Sequence, residues 1–214
     1  MSCIEKIFGF RKRAKEAALK RENERIKMIN KITENDEIAN KTEWSSYKKG
    51  GANFKTVVLN QKENGDMEIK PSRWLYFAVY VGSFVMSIHL AIPIAQKFGA
   101  GYFVLPIIIG PVVACVILKN MNRKYFDSSI GKYYIGKYAT SKCVVDFADV
   151  YALQIIRKKC YYRNNRYYSY EINMVLNTGN RYNIMDHGNL NKIKENAQTI
   201  ADILGVKLWD LSDV

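Results

Sequence analysis

The sequence lacks the short motifs that mark the common classes of enzyme. Its 214 residues contain no G-x-x-x-x-G-K-[ST] phosphate loop, no H-E-x-x-H zinc motif and no G-x-S-x-G nucleophile motif. Histidine is scarce, and His187 follows Asp186 without a serine or cysteine nucleophile motif to complete a catalytic group. We therefore predict a protein that is not an enzyme, with no cofactor, no metal and no small-molecule substrate.

Cysteine is also scarce. The four cysteines, at positions 3, 115, 143 and 160, form no C-x-x-C pair, and position 115 lies inside an apolar run. This indicates reduced thiols in a cytoplasmic setting and makes a zinc site unexpected. The N-terminus MSCIEKIFGFRKR has no sustained apolar core before its charges begin, so we expect no signal peptide.

Charge is nearly absent from the stretch between Trp74 and Leu118, in which Lys97 is the only charged side chain. Two apolar runs of 21 residues, 74–94 and 98–118, lie within it and are separated by Ala95-Gln96-Lys97. A helix of this length spans about 30 Å, the thickness of the hydrocarbon core of a bilayer. The pattern predicts a transmembrane hairpin with a turn at 95–97; a buried helical hairpin in a soluble protein is the alternative.

The net charge of +13 lies almost entirely outside this stretch. Lysine and arginine flank both predicted helices, whereas the turn between them carries only Lys97. The positive-inside rule therefore predicts a multi-pass membrane protein with both termini in the cytoplasm; a bacterial inner membrane is what the resemblances described below imply. Basic flanks also attract anionic membrane lipids, and nucleic-acid binding is the alternative interpretation of the charge.

Residues 1–73 are predicted to form a basic cytoplasmic helical segment followed by a linker. Residues 11–32 are rich in alanine, lysine, glutamate and arginine, which favour a helix. Ile4, Ile7 and Phe8 precede it, and either dip into the membrane surface or belong to a solvated charged helix. In the linker, Asn64-Gly65 predicts the turn of a small β-hairpin.

Residues 119–214 are predicted to form a cytoplasmic domain. Stretches rich in tyrosine, valine and isoleucine indicate strands, and a turn is expected at Arg163–Arg166. Residues 189–205 follow a helical period, with Gly205 as the C-cap. The apolar face of that helix contains Ile193, Ala197, Ile200 and Leu204. The predicted fold class is α+β: an N-terminal helical segment, a two-helix transmembrane hairpin (74–118), and an antiparallel sheet closed by a C-terminal helix.

The stretches FADVYALQII, YEINMVLNTGNRYNIMDHG and LGVKLWD are similar to uncharacterised bacterial membrane proteins with a pleckstrin-homology-like (PH-like) domain. The resemblance covers residues 147–210. It implies a PH-like fold for the C-terminal domain and a membrane location, and it carries no activity.

Candidate residues for gating or packing lie within the predicted spans. His89 is an ionisable residue in the first span, so it is a candidate for gating or proton sensing, or for a hydrogen bond to a neighbouring helix. Pro106 and Pro111 are expected to kink the second helix, which suits either a rearranging bundle or ordinary packing. Gly82 permits close approach of a partner helix, and we expect self-association.

A second group of candidates combines cations with tyrosines. Its basic members are Arg157, Lys158, Lys159, Arg163 and Arg166. Basic residues next to aromatic rings contact lipid headgroups or a partner, or clamp nucleic acid. An ordinary basic hairpin tip is the remaining interpretation.

The architecture resembles the two-transmembrane effectors of bacterial anti-phage (retron-type) defence systems, which share its small size, two spans, cytoplasmic ends and lack of an enzyme motif. The resemblance implies an antiviral toxin effector that permeabilises the inner membrane once a regulatory protein or ribonucleoprotein partner releases it. The alternative is a PH-like, membrane-anchored scaffold or immunity protein that binds lipid or a protein partner.

Overall fold

A computed structural model describes residues 3–52, 54–99, 104–119, 123–141 and 143–213. Within these ranges it describes the side chains of all residues except 3–14, 104–107 and 119. The described residues combine helices with two β-sheets, so the predicted α+β class is confirmed. The helices are α1 (Cys3–Thr33), α2 (Glu37–Lys41), α3 (Arg73–Phe98), α4 (Val104–Lys119) and α5 (Leu190–Leu204). The strands are β1 (Val57–Gln61), β2 (Met67–Pro71), β3 (Lys124–Asp127), β4 (Lys132–Ile135), β5 (Val144–Asp146), β6 (Val150–Tyr162), β7 (Asn165–Leu176), β8 (Arg181–His187) and β9 (Lys207–Leu211).

The strands form two sheets. Sheet A has the order β1-β2-β3-β4-β5 and is antiparallel throughout. Sheet B has the order β8-β7-β6-β9, and α5 carries the chain across it so that β9 lies parallel to β6. The prediction of an antiparallel sheet that ends in a helix is therefore wrong in one respect. The apolar residues after Gly205 form a further strand, in which Trp209 and Leu211 are buried against the sheet.

Sheet A contains residues from both sides of the apolar stretch. β2 precedes α3, β3 follows α4, and the two strands are neighbours, with Met67 opposite Phe126. The predicted division into a segment 1–73 and a separate domain 119–214 does not match this arrangement, since one sheet includes strands from both. The predicted hairpin turn at Asn64-Gly65 does join β1 to β2, with Gly65 at φ +85°.

The two apolar helices differ from the predicted spans in their bounds. α3 runs without interruption from Arg73 to Phe98, so the predicted turn at 95–97 is wrong. Alanine, glutamine and lysine all favour helix, and the break comes at Gly99, whose φ of +105° suits glycine. Among the described residues, α3 is the one helix long and apolar enough to cross a membrane; α4 has 16 residues.

One hydrophobic core lies between the two sheets and α5. Alternate residues of β6 and β7 point into it, as the period of a strand requires. Its fully buried members include Met67, Phe126 and Tyr133 from sheet A, Leu153, Ile155, Ile172 and Met174 from sheet B, and Ile193, Ala197 and Ile200 from α5. The prediction of an amphipathic C-terminal helix is confirmed, with Gly205 at φ +66° as its C-cap.

The opposite face of sheet B is covered by the end of α1, by α2 and by the segment that follows. Trp44 packs on Trp209 at 5.5 Å between ring centroids, next to the buried Ala39. Asp36 caps α2 by accepting from its first backbone N–H groups, and it also accepts a hydrogen bond from Tyr151 Oη at 2.6 Å. The N-terminal segment is therefore packed on the sheet from Ile29 onward.

Candidate functional site

The basic hairpin comprises residues 157–168, at the turn between β6 and β7. Its turn is Arg163-Asn164, two residues shorter than predicted, because β7 already begins at Asn165. Four of the five predicted basic residues place their charge 4.8–6.0 Å from a tyrosine ring centroid. The pairs are Arg157 with Tyr168, Lys159 with Tyr161, Arg163 with Tyr162, and Arg166 with Tyr161. The hairpin thus presents cations and aromatic rings together, a combination suited to the headgroup layer of a membrane.

Lys158, the fifth predicted contact residue, is not part of this surface. Neighbouring residues of a strand point to opposite faces, so Lys158 lies under the segment 43–52 with its side chain 3% exposed. It forms an ion pair with Asp186 and lies 3.3 Å from Oε2 of the fully buried Glu171. Glu171 Oε1 accepts the backbone N–H of Tyr47 at 2.6 Å. Lys158 therefore holds a packed segment in place instead of meeting a lipid or partner.

Two hydrogen bonds connect residues near position 54 to the basic hairpin on one side and to the start of α3 on the other. At one end, Tyr167 Oη donates to the carbonyl of Gly51 at 2.7 Å. At the other, the backbone N–H of Ser72 donates to the carbonyl of Thr56 at 2.9 Å, and Ser72 Oγ caps α3. Exposed aromatic side chains accompany this link: Phe54, Trp74, Tyr161 and Tyr162. Exposed aromatic side chains therefore occur both at the basic hairpin and at the start of α3.

A basic cavity, which we call the lysine pocket, lies beside the start of α3. It has a volume of about 230 Å³ and is lined by Lys48, Lys70 and Lys124 together with Pro71 and residues 183–186 of β8. Pro71 is the last residue of β2, immediately before the N-cap of α3. Three lysines therefore line one cavity between sheet A and sheet B, next to the start of α3.

Lys124 forms the floor of the lysine pocket. Its Nζ donates to the carbonyl of Asn183 at 2.9 Å and to that of Ile184 at 2.5 Å. These carbonyls lie at a β-bulge, where Ile184 has no partner on β7. The ammonium group therefore supplies the hydrogen bond that a backbone N–H of β7 would otherwise donate. Burial, followed by the nearby charge of Lys48, lowers the pKa of Lys124 to about 8. At neutral pH the group is charged, with one proton left to donate.

His187 lies at the end of β8 and is fully buried. Its Nδ1 accepts the backbone N–H of Asn189 at 3.1 Å, which places the proton on Nε2, and Nε2 has no hydrogen-bond partner among the described residues. Burial, and then the charge of Lys55, lower the pKa of His187 to about 4. The ring is therefore neutral at physiological pH and lies where β8 leads into α5.

The helices α3 and α4 pack against each other at small side chains. A Cβ on Gly110 would lie 1.7 Å from Ser87 Oγ and 2.9 Å from the carbonyl of Ser83, so only glycine fits there. Tyr80 Oη lies 3.2 Å from Cys115 Sγ. Because Cys115 follows Gly110 while Tyr80 precedes Ser87, the two contacts together show that α3 and α4 pack against each other in antiparallel directions at these residues.

The predicted gating and packing residues are not brought together. His89 is exposed, and its Nδ1 donates to the carbonyl of Val85 within its own helix. A Cβ on Gly82 would meet nothing within 4 Å, so its contact with another copy stays a prediction. Pro111 lies inside α4, whereas the side chain of Pro106 is outside the described set.

Sequence reasoning missed the lysine pocket. Lys48, Lys70 and Lys124 are far apart in the chain, and Lys124 is separated from Lys70 by both apolar helices. The available signal was that Lys70 and Lys124 flank the apolar stretch at similar distances from it. Comparison of the chain with protein-family models, with curated proteins and with solved structures finds no match. Function must therefore be inferred from the residues themselves.

Proposed function

We propose that this protein is a membrane-anchored binding module, whose α+β domain lies against the cytoplasmic face of the bacterial inner membrane and contacts anionic lipid. The observation that carries this proposal is the position of the helical hairpin between two paired strands. It is the alternative interpretation of the sequence, and the geometry favours it over a free-standing membrane toxin, because the strand before α3 and the strand after α4 pair in one sheet.

The pairing of β2 with β3 supports two membrane crossings. The residues before α3 and after α4 belong to one sheet, with Ile69 opposite Lys124, so they lie on the same side of any membrane. A single crossing by α3 would separate these strands by a hydrocarbon layer of about 30 Å. If α3 crosses, the chain must cross back before β3. The 16 residues of α4 supply about 24 Å of that return.

The surface of the hairpin also suits lipid. Large apolar side chains on α3 and α4 are exposed, among them Phe77, Met86, Leu90, Ile108, Val112 and Val116. Such a continuous apolar surface is unfavourable in water and favourable in a bilayer. Trp74, 74% exposed at the start of α3, is at the depth where tryptophan is enriched at membrane interfaces.

Membrane anchoring can be tested on the full chain. We expect it to stay in the membrane fraction after an alkaline wash, and reporters fused to either terminus to be active in the cytoplasm. A matched variant replaces residues 73–122 with an Asn-Gly turn, which keeps β2 next to β3, and we expect it in the soluble fraction. A wild-type chain released by the wash, or termini on opposite sides, would rule out the anchored hairpin.

Lipid contact by the basic hairpin needs a separate measurement. Amide hydrogen exchange of residues 157–168 is compared in nanodiscs of phosphatidylglycerol and of phosphatidylcholine. Exchange should be slower in the anionic discs, because cations near an anionic surface each gain about 1 kcal/mol. Replacing Arg157, Lys159, Arg163 and Arg166 with glutamine should abolish the difference. Equal exchange in both lipids would contradict the proposal.

A membrane-permeabilising effector is the second candidate, and one observation favours it. An apolar groove of about 380 Å³ runs between α3 and α4, lined by Ser83, Met86, Ile94 and Val113 among others. A helix of a second copy fits such a groove, since small residues permit close packing in membranes. Several hairpins assembled in this way would satisfy the need of a two-helix unit to oligomerise before it forms a pore.

Expression of the chain alone in a bacterium distinguishes the candidates. An effector free of its partner should depolarise the membrane and admit dye, and a Pro111→Leu variant should reduce both effects. The anchored module should leave growth and membrane potential normal while the protein is present in the membrane fraction.

A further inference from the structure

We infer that the lysine pocket binds a phosphate group, carried either by an anionic lipid headgroup or by a soluble phosphate compound. This deepens the proposed function with a defined site for the anion, separate from the basic hairpin.

The charge of the pocket favours an anion. Lys48 makes no side-chain hydrogen bond or ion pair within the described residues, and Lys70 Nζ has only a long contact, 3.8 Å, with Glu68 Oε2. The one carboxylate that lines the pocket belongs to Asp186, and it is already bound by Lys158 and by Ser169 Oγ at 2.9 Å. Among the described residues, Lys48 therefore has no carboxylate partner, and Lys70 shares Glu68 with Arg123, so the pocket keeps an excess of positive charge.

The construction of the pocket favours a small, strongly bound group. Lys124 is fixed by two backbone carbonyls, so its ammonium is held in position before any ligand arrives. A volume of about 230 Å³ is below the roughly 300–1,000 Å³ of pockets that enclose a drug-sized ligand. It accommodates one headgroup phosphate with water, and lysine binds phosphate as a point charge.

The place of the pocket favours a ligand at the membrane surface. Pro71 lines it and is followed directly by Ser72, the N-cap of α3. Lys124 is the first residue of β3 and follows Arg123, whose Nη1 donates to Glu68 Oε1 at 2.9 Å. The ends of β2 and β3 nearest the apolar helices therefore both contribute to the pocket, at the level of the headgroup phosphates if α3 spans the bilayer.

The test uses the full chain in a neutral detergent. In one arm, inorganic phosphate and glycerol 3-phosphate are titrated by calorimetry. In the other, native mass spectrometry counts the phosphatidylglycerol molecules retained, against phosphatidylcholine. The variants are K48Q and K70Q, singly and together, with K49Q as the matched control because Lys49 is adjacent to Lys48 and does not line the pocket.

Each lysine removed should weaken binding about tenfold or more, while K49Q should bind as wild type does. Lysine-dependent binding in the first arm assigns a soluble phosphate compound; lysine-dependent retention in the second arm alone assigns the lipid headgroup. Binding in neither arm, or binding unaffected by K48Q and K70Q together, overturns the inference. Circular dichroism of each variant excludes unfolding as the cause of a loss.

The alkaline wash of the same preparations separates this inference from the proposed function. A chain that resists the wash and binds no phosphate keeps its anchoring role and refutes the pocket. A chain that is washed off and still binds phosphate through Lys48 and Lys70 refutes the anchoring and leaves a soluble phosphate site.

Discussion

Acid should destabilise this protein through one histidine. His187 is fully buried, and its burial lowers the pKa to about 4, from 6.5 in the unfolded chain. Because the unfolded chain binds the proton more tightly, the free energy of unfolding falls as the pH drops from about 6.5 to 4. A difference of 2.5 pKa units gives a loss of about 2 kcal/mol between pH 7 and pH 5, and about 3 kcal/mol by pH 4.

The effect can be isolated because the chain contains two histidines. Urea unfolding of the full chain in non-ionic detergent, at pH 7, 6 and 5, is followed by the fluorescence of Trp44 and Trp209. A His187→Asn variant keeps an acceptor for the N–H of Asn189 and cannot be protonated, so its stability should vary little over this range. Carboxyl groups with a lowered pKa, such as that of Asp210, titrate below the range.

The matched control is His89→Gln, which should retain the full pH dependence because His89 is exposed on α3. The reasoning would be refuted by a wild-type chain equally stable at pH 7 and pH 5. It would also be refuted by a His187→Asn variant that loses as much stability in acid as the wild type does.

Two further substitutions have matched controls in the chain. Lys158→Met should lower the free energy of unfolding by about 3–5 kcal/mol, since it removes the cation that pairs with the buried Glu171 and with Asp186, whereas Lys159→Met on the exposed face should change it by less than about 0.5 kcal/mol; equal effects in urea unfolding would contradict the assigned faces of β6. Gly110→Val should lower the thermal unfolding temperature in detergent, because its side chain has no room against α3, and Gly82→Val should not; loss of stability in both variants would mean that α3 and α4 pack differently.

Local pattern predicted part of this fold well. The helical period of residues 189–205 and the turn at Asn64-Gly65 depend on neighbours in sequence, and both were predicted from the sequence. The end of α3 was not, because Ala95-Gln96-Lys97 interrupts the hydropathy without interrupting the helix. The polar residues 95–97 indicated a turn, but the helix ends only at Gly99.

The pairing of β2 with β3 could not be predicted from the sequence. Nothing local to residues 57–71 indicates that their sheet partner lies after two apolar helices. The same limit applies to the candidate site. Composition identified the basic hairpin, but it grouped Lys158 with the exposed cations next to it. The partner of Lys158 is the buried carboxylate of Glu171, 13 residues further along, and nothing in the local sequence indicates that pairing. The lysine pocket required all three lysines to be placed in space.

The insertion of the helical hairpin between β2 and β3 also sets an order for synthesis. β1 and β2 leave the ribosome before either apolar helix, and β3 leaves after both, so β2 must wait with one edge unpaired until the hairpin is in place. If α3 spans a membrane as proposed, a nascent chain that inserted α3 alone would have β3 on the opposite side from β2 and could not complete sheet A. Pairing of β2 with β3 would then form only in a chain that had crossed the membrane twice.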